Sequence, residues 1–302
     1  MEKIKWPKGF PNCEKMIEII KKTDQTSWQC DLSIEDINRW LSNYTGEIFD
    51  KNDEQRLALW MLCNFTYYNI HEVKHLCRIM YKKFVHDLIS QEKIENVQTL
   101  KDILNSTYFS AIGKAGESGG LLLYYFRQET KLSQDRFSYP GCVPTGNDNI
   151  AVFIDDVCLS GGTAERFYHN YLKETTFKRI YYIMMFATKE AVKKIKNLGI
   201  SVICCYLLDE RDQCFSTKSI MFFNYPLLRE KAALMSKYYG EKIEKGKPLG
   251  HKDGQLCFGF FYNIPNNSLP IFWSSNNWHP IFVRKEKIQN VKRRKDEFGR
   301  YI

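Results

Sequence analysis

Three segments of the chain are apolar almost throughout: IAVFI (150–154), RIYYIMMFA (179–187) and ISVICCYLL (200–208). A strand with one wet face alternates apolar and polar residues, whereas a strand that is apolar on both faces has to be covered on both. Between these runs lie TAERFYHNYLKE (163–174) and TKEAVKKIKNL (188–198), which carry charge at helical spacing, the second closed by Gly199. An earlier unit has the same grammar: TYFSAI (107–112) reads as a strand, GKAGESGG (113–120) as a small-residue loop and LLLYYFRQ (121–128) as a helix. Repeated strand-loop-helix units with buried strands predict an α/β fold around a parallel sheet. The ligand of such a sheet sits at the carboxyl ends of its strands. Two loops of small residues lie there, 113–120 and the one that follows Ile154.

The flanks read differently. The first hundred residues carry helical periodicity: a capping-box-like start at Ser33-Ile-Glu-Asp36, apolar Ile34, Ile37, Trp40 and Leu41, recurring apolar positions between Asp53 and Ser90, and a short helix near Leu100 to Leu104. After Leu208 come a helical stretch (Leu227 to Tyr239), the aromatic strand LCFGFFY (256–262) and the turn-rich NIPNNSLPIFW (263–273). This predicts an N-terminal helical region over 1–105, an α/β core over 106–210 and a C-terminal α+β cap with a basic tail over 211–302. The 302 residues, 44% of them apolar, suffice for a sizeable core. The N-terminus has no apolar signal core and no run is long enough to span a bilayer, so the expectation is a cytoplasmic protein with no membrane partner. Ten scattered cysteines without a C-x-x-C pair fit reduced thiols.

The net charge is +9, and Arg284 to Ile302 holds eight basic residues against three acidic ones. Such a tail can neutralise nucleic-acid phosphates, or can simply be a solvated end. His71-Glu-Val-Lys-His75 matches the zinc-peptidase pattern H-E-x-x-H, with Glu95 downstream. On a helix, however, His71, His75, Arg78 and Lys82 form a polar stripe opposite Val73, Leu76, Cys77 and Met80, which is an ordinary solvated face. Trp273, Trp278 and His279 are candidates to stack an acceptor base, with packing of the cap as the alternative. Asp209, Glu210, Arg211 and Asp212 follow the last core strand.

The chemistry concentrates in IDDVCLSGGT (154–163). Ser160, Gly161, Gly162 and Thr163 precede a helix, so backbone N–H groups and hydroxyls converge on one point suited to a phosphate. Asp155 and Asp156 stand just before it. A phosphate in that cradle places an attached sugar over the strand end, where two carboxylates accept from vicinal hydroxyls or help hold Mg²⁺.

This stretch resembles the 5-phosphoribosyl-1-pyrophosphate (PRPP) signature of type I phosphoribosyltransferases. The resemblance implies that Asp155 and Asp156 hold the ribose hydroxyls as the catalytic and Mg²⁺-binding pair, and that Ser160, Gly161, Gly162 and Thr163 wrap the 5-phosphate. It places Lys114, Ser118, Gly119 and Gly120 at the pyrophosphate. With the helical N-terminus, LDERDQCF (208–215) and the C-terminal PLG…FFYNIPNNSLPIFW, the chain looks like the divergent phosphoribosyltransferase-like proteins of bacterial conflict systems, some of them retron-associated. That implies an antiphage toxin acting on a nucleotide or nucleic-acid acceptor, with a reverse transcriptase and a DNA-binding protein as partners. The alternative is an inactive PRPP- or nucleotide-sensing scaffold subunit. Leu159 departs from the family pattern, because relatives acting on purines carry an Asp there and a leucine side chain moves no proton.

Overall fold

The computed structural model describes residues 3–112, 118–139 and 141–284. Four strands, β2 (Thr107–Ala111), β3 (Gly146–Cys158), β4 (Phe177–Thr188) and β5 (Ser201–Leu208), form a parallel sheet in the order β2-β3-β4-β5. The architecture is α/β, as the apolar runs predict. Alternation along the strands sorts the core into two layers. Ile150, Val152, Ile154, Tyr181 and Ile183 face one side, against helices α4 (Ile70–Gln91) and α6 (Ser118–Thr130). Ala151, Phe153, Tyr182 and Met184 face the other, against α7 (Gly162–Phe167) and α8 (Lys189–Lys196).

The placement of these helices fixes where a ligand belongs. After α6 the chain runs along the outer edge of β2, in a parallel bridge between Phe109 and Phe137 with Ser138 N–H donating to the Phe109 carbonyl at 2.9 Å. It then crosses to β3 on the other side of β2. From β3 onward the winding goes the opposite way through α7 and α8. Right-handed crossovers therefore put α6 on one face and α7 and α8 on the other. The direction reverses between β2 and β3, and an open α/β sheet has its ligand crevice at such a reversal.

The flanking regions share one core. Helices α1 (Cys13–Thr23), α2 (Ile34–Leu41) and α3 (Lys51–Cys63) pack with α9 (Pro226–Ile243) and with Ile264, Ile271, Phe272 and Trp278. A strand of three residues, β1 (Thr66–Tyr68), pairs in parallel with β6 (Phe258–Phe260), a partner about 190 positions away. Helix α5 (Val97–Asn105) leads into β2. The predicted capping box is present: Ser33 Oγ accepts from Asp36 N–H, while Asp36 accepts from Ser33.

The structure departs locally from the sequence expectations. Residues 146–149, read as a turn, begin β3, which runs on through both aspartates to Cys158. The expected helix 163–174 passes after Phe167 into a wider π turn, Tyr168–Leu172. Only Phe258–Phe260 of LCFGFFY is strand. No helix among the described residues is long and apolar enough to cross a membrane. All ten cysteines are free.

Glu54 ties the flanking core together. It is fully buried, and its two oxygens accept from Gly46 N–H (2.8 Å), Ile48 N–H (2.8 Å), Phe49 N–H (3.1 Å) and the Tyr239 hydroxyl on α9 (2.6 Å). Glu54→Ala leaves these buried donors without an acceptor and is expected to cost roughly 3–5 kcal/mol. The measurement is the urea midpoint, with Glu54→Gln falling between the variant and the parent.

Candidate functional site

Adjacent residues of a strand start toward opposite faces, but the carboxyls of the aspartate pair come close enough to hydrogen-bond one another. Asp155 lies on the α7/α8 side, where its carboxylate accepts from the Tyr182 hydroxyl on β4. Asp156 lies on the α4/α6 side, where it accepts from the Tyr262 hydroxyl at 3.4 Å and where Ser118 of α6 also donates to it. The pairing of β3 with β4 runs from Ile150 to Asp155 and resumes at Val157. Past that point the faces exchange: Val157 joins the layer of Ile154 and Cys158 the layer of Phe153. Asp156 thus sits at a break in the ladder, and its carboxylate turns back to accept from its neighbour's Val157 N–H at 2.8 Å.

Burial dominates the electrostatics of the pair. Asp156 is 8% exposed, and Asp155 keeps only part of its surface open while its carboxyl lies deep among protein atoms. Loss of water raises both acids above the usual carboxylate range. Asp155 is pushed well above it, first by burial and then by the neighbouring Asp156 charge. Tyr182 and Tyr262 are also driven well upward, first by burial and then by the nearby aspartate charges, so both phenols remain donors.

The following loop closes tightly. Gly161, the residue before α7, has φ +67°, a left-handed conformation suited to glycine. A side chain there would also come within 3.3 Å of Lys194 Cδ. Ser160 and Gly162 are half-buried and Thr163 is exposed, with Arg166 Nη2 3.4 Å from Thr163 Oγ1. Leu159 is pinned by its carbonyl, which accepts from Thr188 Oγ1 at 2.6 Å, and its side chain lies beneath Gly254 of the C-terminal region.

The other sequence candidates are distributed unevenly. Lys114 lies outside the described residues. Ser118, Gly119 and Gly120, expected in a loop, form the first turn of α6 instead. Gly119 packs so closely on β2 that a Cβ would stand 2.7 Å from the Ile112 carbonyl. That turn and the aspartate pair meet at the reversal between β2 and β3. Beside it, over the ends of β4 and β5, opens a cavity of about 880 Å³ lined by Leu159, Ser160, Lys189, Asp209, Arg211 and Lys252 among others.

Asp209 and Arg211 form a salt bridge at 2.7 Å, and Asp212 accepts from Asp209 N–H at 2.8 Å. The Arg211 hydrogen bonds lower Asp209 to about 2. Trp273 and Trp278 are packed in the cap core and donate their indole N–H groups to Ser268 and Ile271 carbonyls, at 2.9 Å each, so neither is available as a stacking surface. In the H-E-x-x-H stretch, Glu72 belongs to the capping box of α4, accepting from Asn69 N–H at 2.8 Å. Among the described residues no three histidine, cysteine or carboxylate side chains gather as a metal cluster. Sequence reasoning missed Tyr182, Tyr262, Arg166 and Lys252. The one signal was the Tyr181–Tyr182 pair, two hydroxyls midway in a mostly apolar strand, which did not single out Tyr182.

The family model PRTase-CE matches residues 37–284, so the chain belongs to that family. Comparison with curated proteins returned no match. Among solved structures, the chain is similar to orotate phosphoribosyltransferase from Aeropyrum pernix, with 14% identity and a TM-score of 0.26. The similarity covers 34% of this chain and 62% of that one, less than two thirds of its length.

Because both acids are raised, the folded state holds their protons more tightly than the unfolded chain does. Their contribution to stability is therefore present at low pH and is lost as pH rises from the ordinary carboxylate range of about 4 through the raised native values. Asp155→Asn removes a buried charge and is expected to stabilise the fold by about 1 kcal/mol near neutral pH, or roughly 2–4 °C in Tm. Melting at about pH 8 and about pH 5 should show the larger gain at the higher pH. Equal gains at both would contradict the assignment.

Proposed function

We propose that this member of the PRTase-CE family binds PRPP, or a related ribose 5-phosphate, where β3 runs into α7, and transfers or cleaves the phosphoribosyl group on a nucleotide or nucleic-acid acceptor. The observation that carries the reading is the succession along one strand and loop. Two buried carboxyls at a break in β3 lead directly into Ser160–Thr163, with Gly161 left-handed at the turn. The carboxyls suit vicinal sugar hydroxyls as acceptors, and the loop suits the 5-phosphate through its N–H groups and hydroxyls. A pure anion site would gain nothing from two adjacent acids.

In this reading the 5-phosphate rests on Ser160, Gly161, Gly162 and Thr163, and Asp155 and Asp156 orient the ribose. Ser118, Gly119 and Gly120 face the pyrophosphate from the α6 side; Lys114, the other candidate, lies outside the described residues. The donor set also fits Mg²⁺, which typically takes one or two carboxylates together with substrate phosphates. When bound, the ion would supply charge neutralisation to the departing pyrophosphate. The chain's own contribution is positioning and electrostatic stabilisation of an oxocarbenium-like ribose as the C1–O bond breaks. Leu159 offers no proton, and Asp209, held near 2 by Arg211, is a weak base. The acceptor therefore has to be nucleophilic without much help. We place the activity in an antiphage system of retron type, with the protein as toxin beside a reverse transcriptase and a DNA-binding protein. The basic tail, a candidate nucleic-acid contact, lies outside the described residues apart from Arg284.

A second reading, a PRPP- or nucleotide-sensing scaffold without turnover, is favoured by one observation: Leu159 seats the cap where a relative would present an acid. Mass spectrometry of nucleotides and tRNA from cells expressing the parent and the Asp155→Asn/Asp156→Asn variant separates the two. The toxin reading expects a phosphoribosyl mass gain on one species with the parent alone. PRPP binding without any mass gain would select the sensor, and toxicity together with PRPP binding in the double variant would end the enzyme reading.

A further inference from the structure

The turn that covers the cavity from the C-terminal side is conformationally costly. Lys252, Asp253 and Gln255 have φ of 57°, 53° and 51°, in a left-handed region that glycine or asparagine occupies more readily. Closely packed glycines frame them. A Cβ on Gly250 (φ +94°) would lie 2.4 Å from the Asn267 carbonyl oxygen, and one on Gly254 would lie 2.7 Å from it and 3.1 Å from Leu159 Cδ1. The turn is held rigidly: His251 N–H donates to the Asn266 carbonyl at 2.7 Å, Asn267 Nδ2 to the His251 carbonyl at 2.8 Å, and Gln255 N–H to the Leu249 carbonyl at 2.9 Å. Asp253 and Gln255 are engaged with one another at 3.1 Å. Lys252 makes no hydrogen bond or ion pair among the described residues, and it lines the same cavity as Ser160.

Of the charged groups lining the cavity, Asp209 is paired with Arg211 and Glu210 with Lys218, which leaves Lys189, Glu190 and Lys252. His251, half-buried, has its pKa lowered, first by burial and then by the charges of Lys247, Lys252 and Arg166. Arg166 itself reaches Thr163 of the loop. Lys252 of the cap thus shares a cavity with Ser160, while Arg166 of the core reaches Thr163 at the other end of the same loop. Lys252 is exposed at the cavity, so its ammonium is available to an anion bound there.

We propose that the Gly250–Gln255 turn is the second half of the phosphate site, with Lys252 a phosphate-binding residue that the cap brings down onto the 5-phosphate held by Ser160–Thr163. This rests on the ribose 5-phosphate reading of the same loop. It makes the site a joint product of core and cap, so that a core without residues 250–255 would hold its ligand poorly.

Calorimetric titration of the full chain with ribose 5-phosphate tests it. Lys252→Met should weaken binding about tenfold, equivalent to about 1.4 kcal/mol, while Lys252→Arg keeps most of it. Lys252→Gly should bind as poorly as Lys252→Met yet melt higher than the parent, because the left-handed strain is relieved. A merely structural lysine would not separate the two readouts. If the parent binds, Asp155→Asn does not, and Lys252→Met binds like the parent, the phosphate reading stands and the clamp is overturned. If the parent binds neither ribose 5-phosphate nor inorganic phosphate, both fall together.

Discussion

The structure depends on burying two adjacent carboxyl groups in the middle of a sheet. Each accepts from a different tyrosine, and the two carboxyls also hydrogen-bond one another. Asp155 takes its hydroxyl from Tyr182, one strand away in the same sheet. Asp156 takes donors from two other parts of the chain, Ser118 at the start of α6 and Tyr262 in the C-terminal region. One residue therefore meets the core strand, the first crossover helix and the cap. The reversal of winding between β2 and β3 makes this meeting possible, because it opens the carboxyl end of β3 to α6 on one face and α7 on the other.

The helical N-terminus acquires a role in that light. Its helices do not touch the aspartate pair; they hold the segment that does. Trp40 donates its indole N–H to the Ile271 carbonyl at 2.7 Å, Glu54 binds Tyr239, and β1 pairs with β6 two residues before Tyr262. Stacked and edge-on contacts among Trp40, Tyr44, Phe272 and Trp278 fill the space between. The position of Tyr262 over Asp156 is thus set by residues about two hundred positions earlier.

What was legible in the sequence follows from the range of each interaction. Strands buried on both faces announce themselves by continuous apolar runs, and the Ser33–Asp36 cap is written within four residues. β1 was invisible, because Thr66-Tyr67-Tyr68 becomes a strand only when Phe258–Phe260 arrives beside it. The aspartates resembled a strand end because isolated carboxylates do not belong in a sheet; the two tyrosines that admit them lie 27 and 106 positions away. Glu72 illustrates the reverse ambiguity. A metal-binding pattern at helix spacing is also a good capping box, and the fold uses it as a cap. The indoles of Trp273 and Trp278 likewise spend their N–H groups on nearby carbonyls.

Leu159 ties the sheet to the C-terminal region. Its carbonyl is fixed by Thr188, whose hydroxyl oxygen also accepts from Ala191 N–H at 3.1 Å to cap α8. Its side chain meets the Gly254 backbone, where an acid would face a close-packed glycine and the apolar floor formed with Leu208 and Leu256. The leucine thus seats the strained turn that carries Lys252. The cap that packs on Leu159 is the same cap that holds Lys252 in one cavity with Ser160.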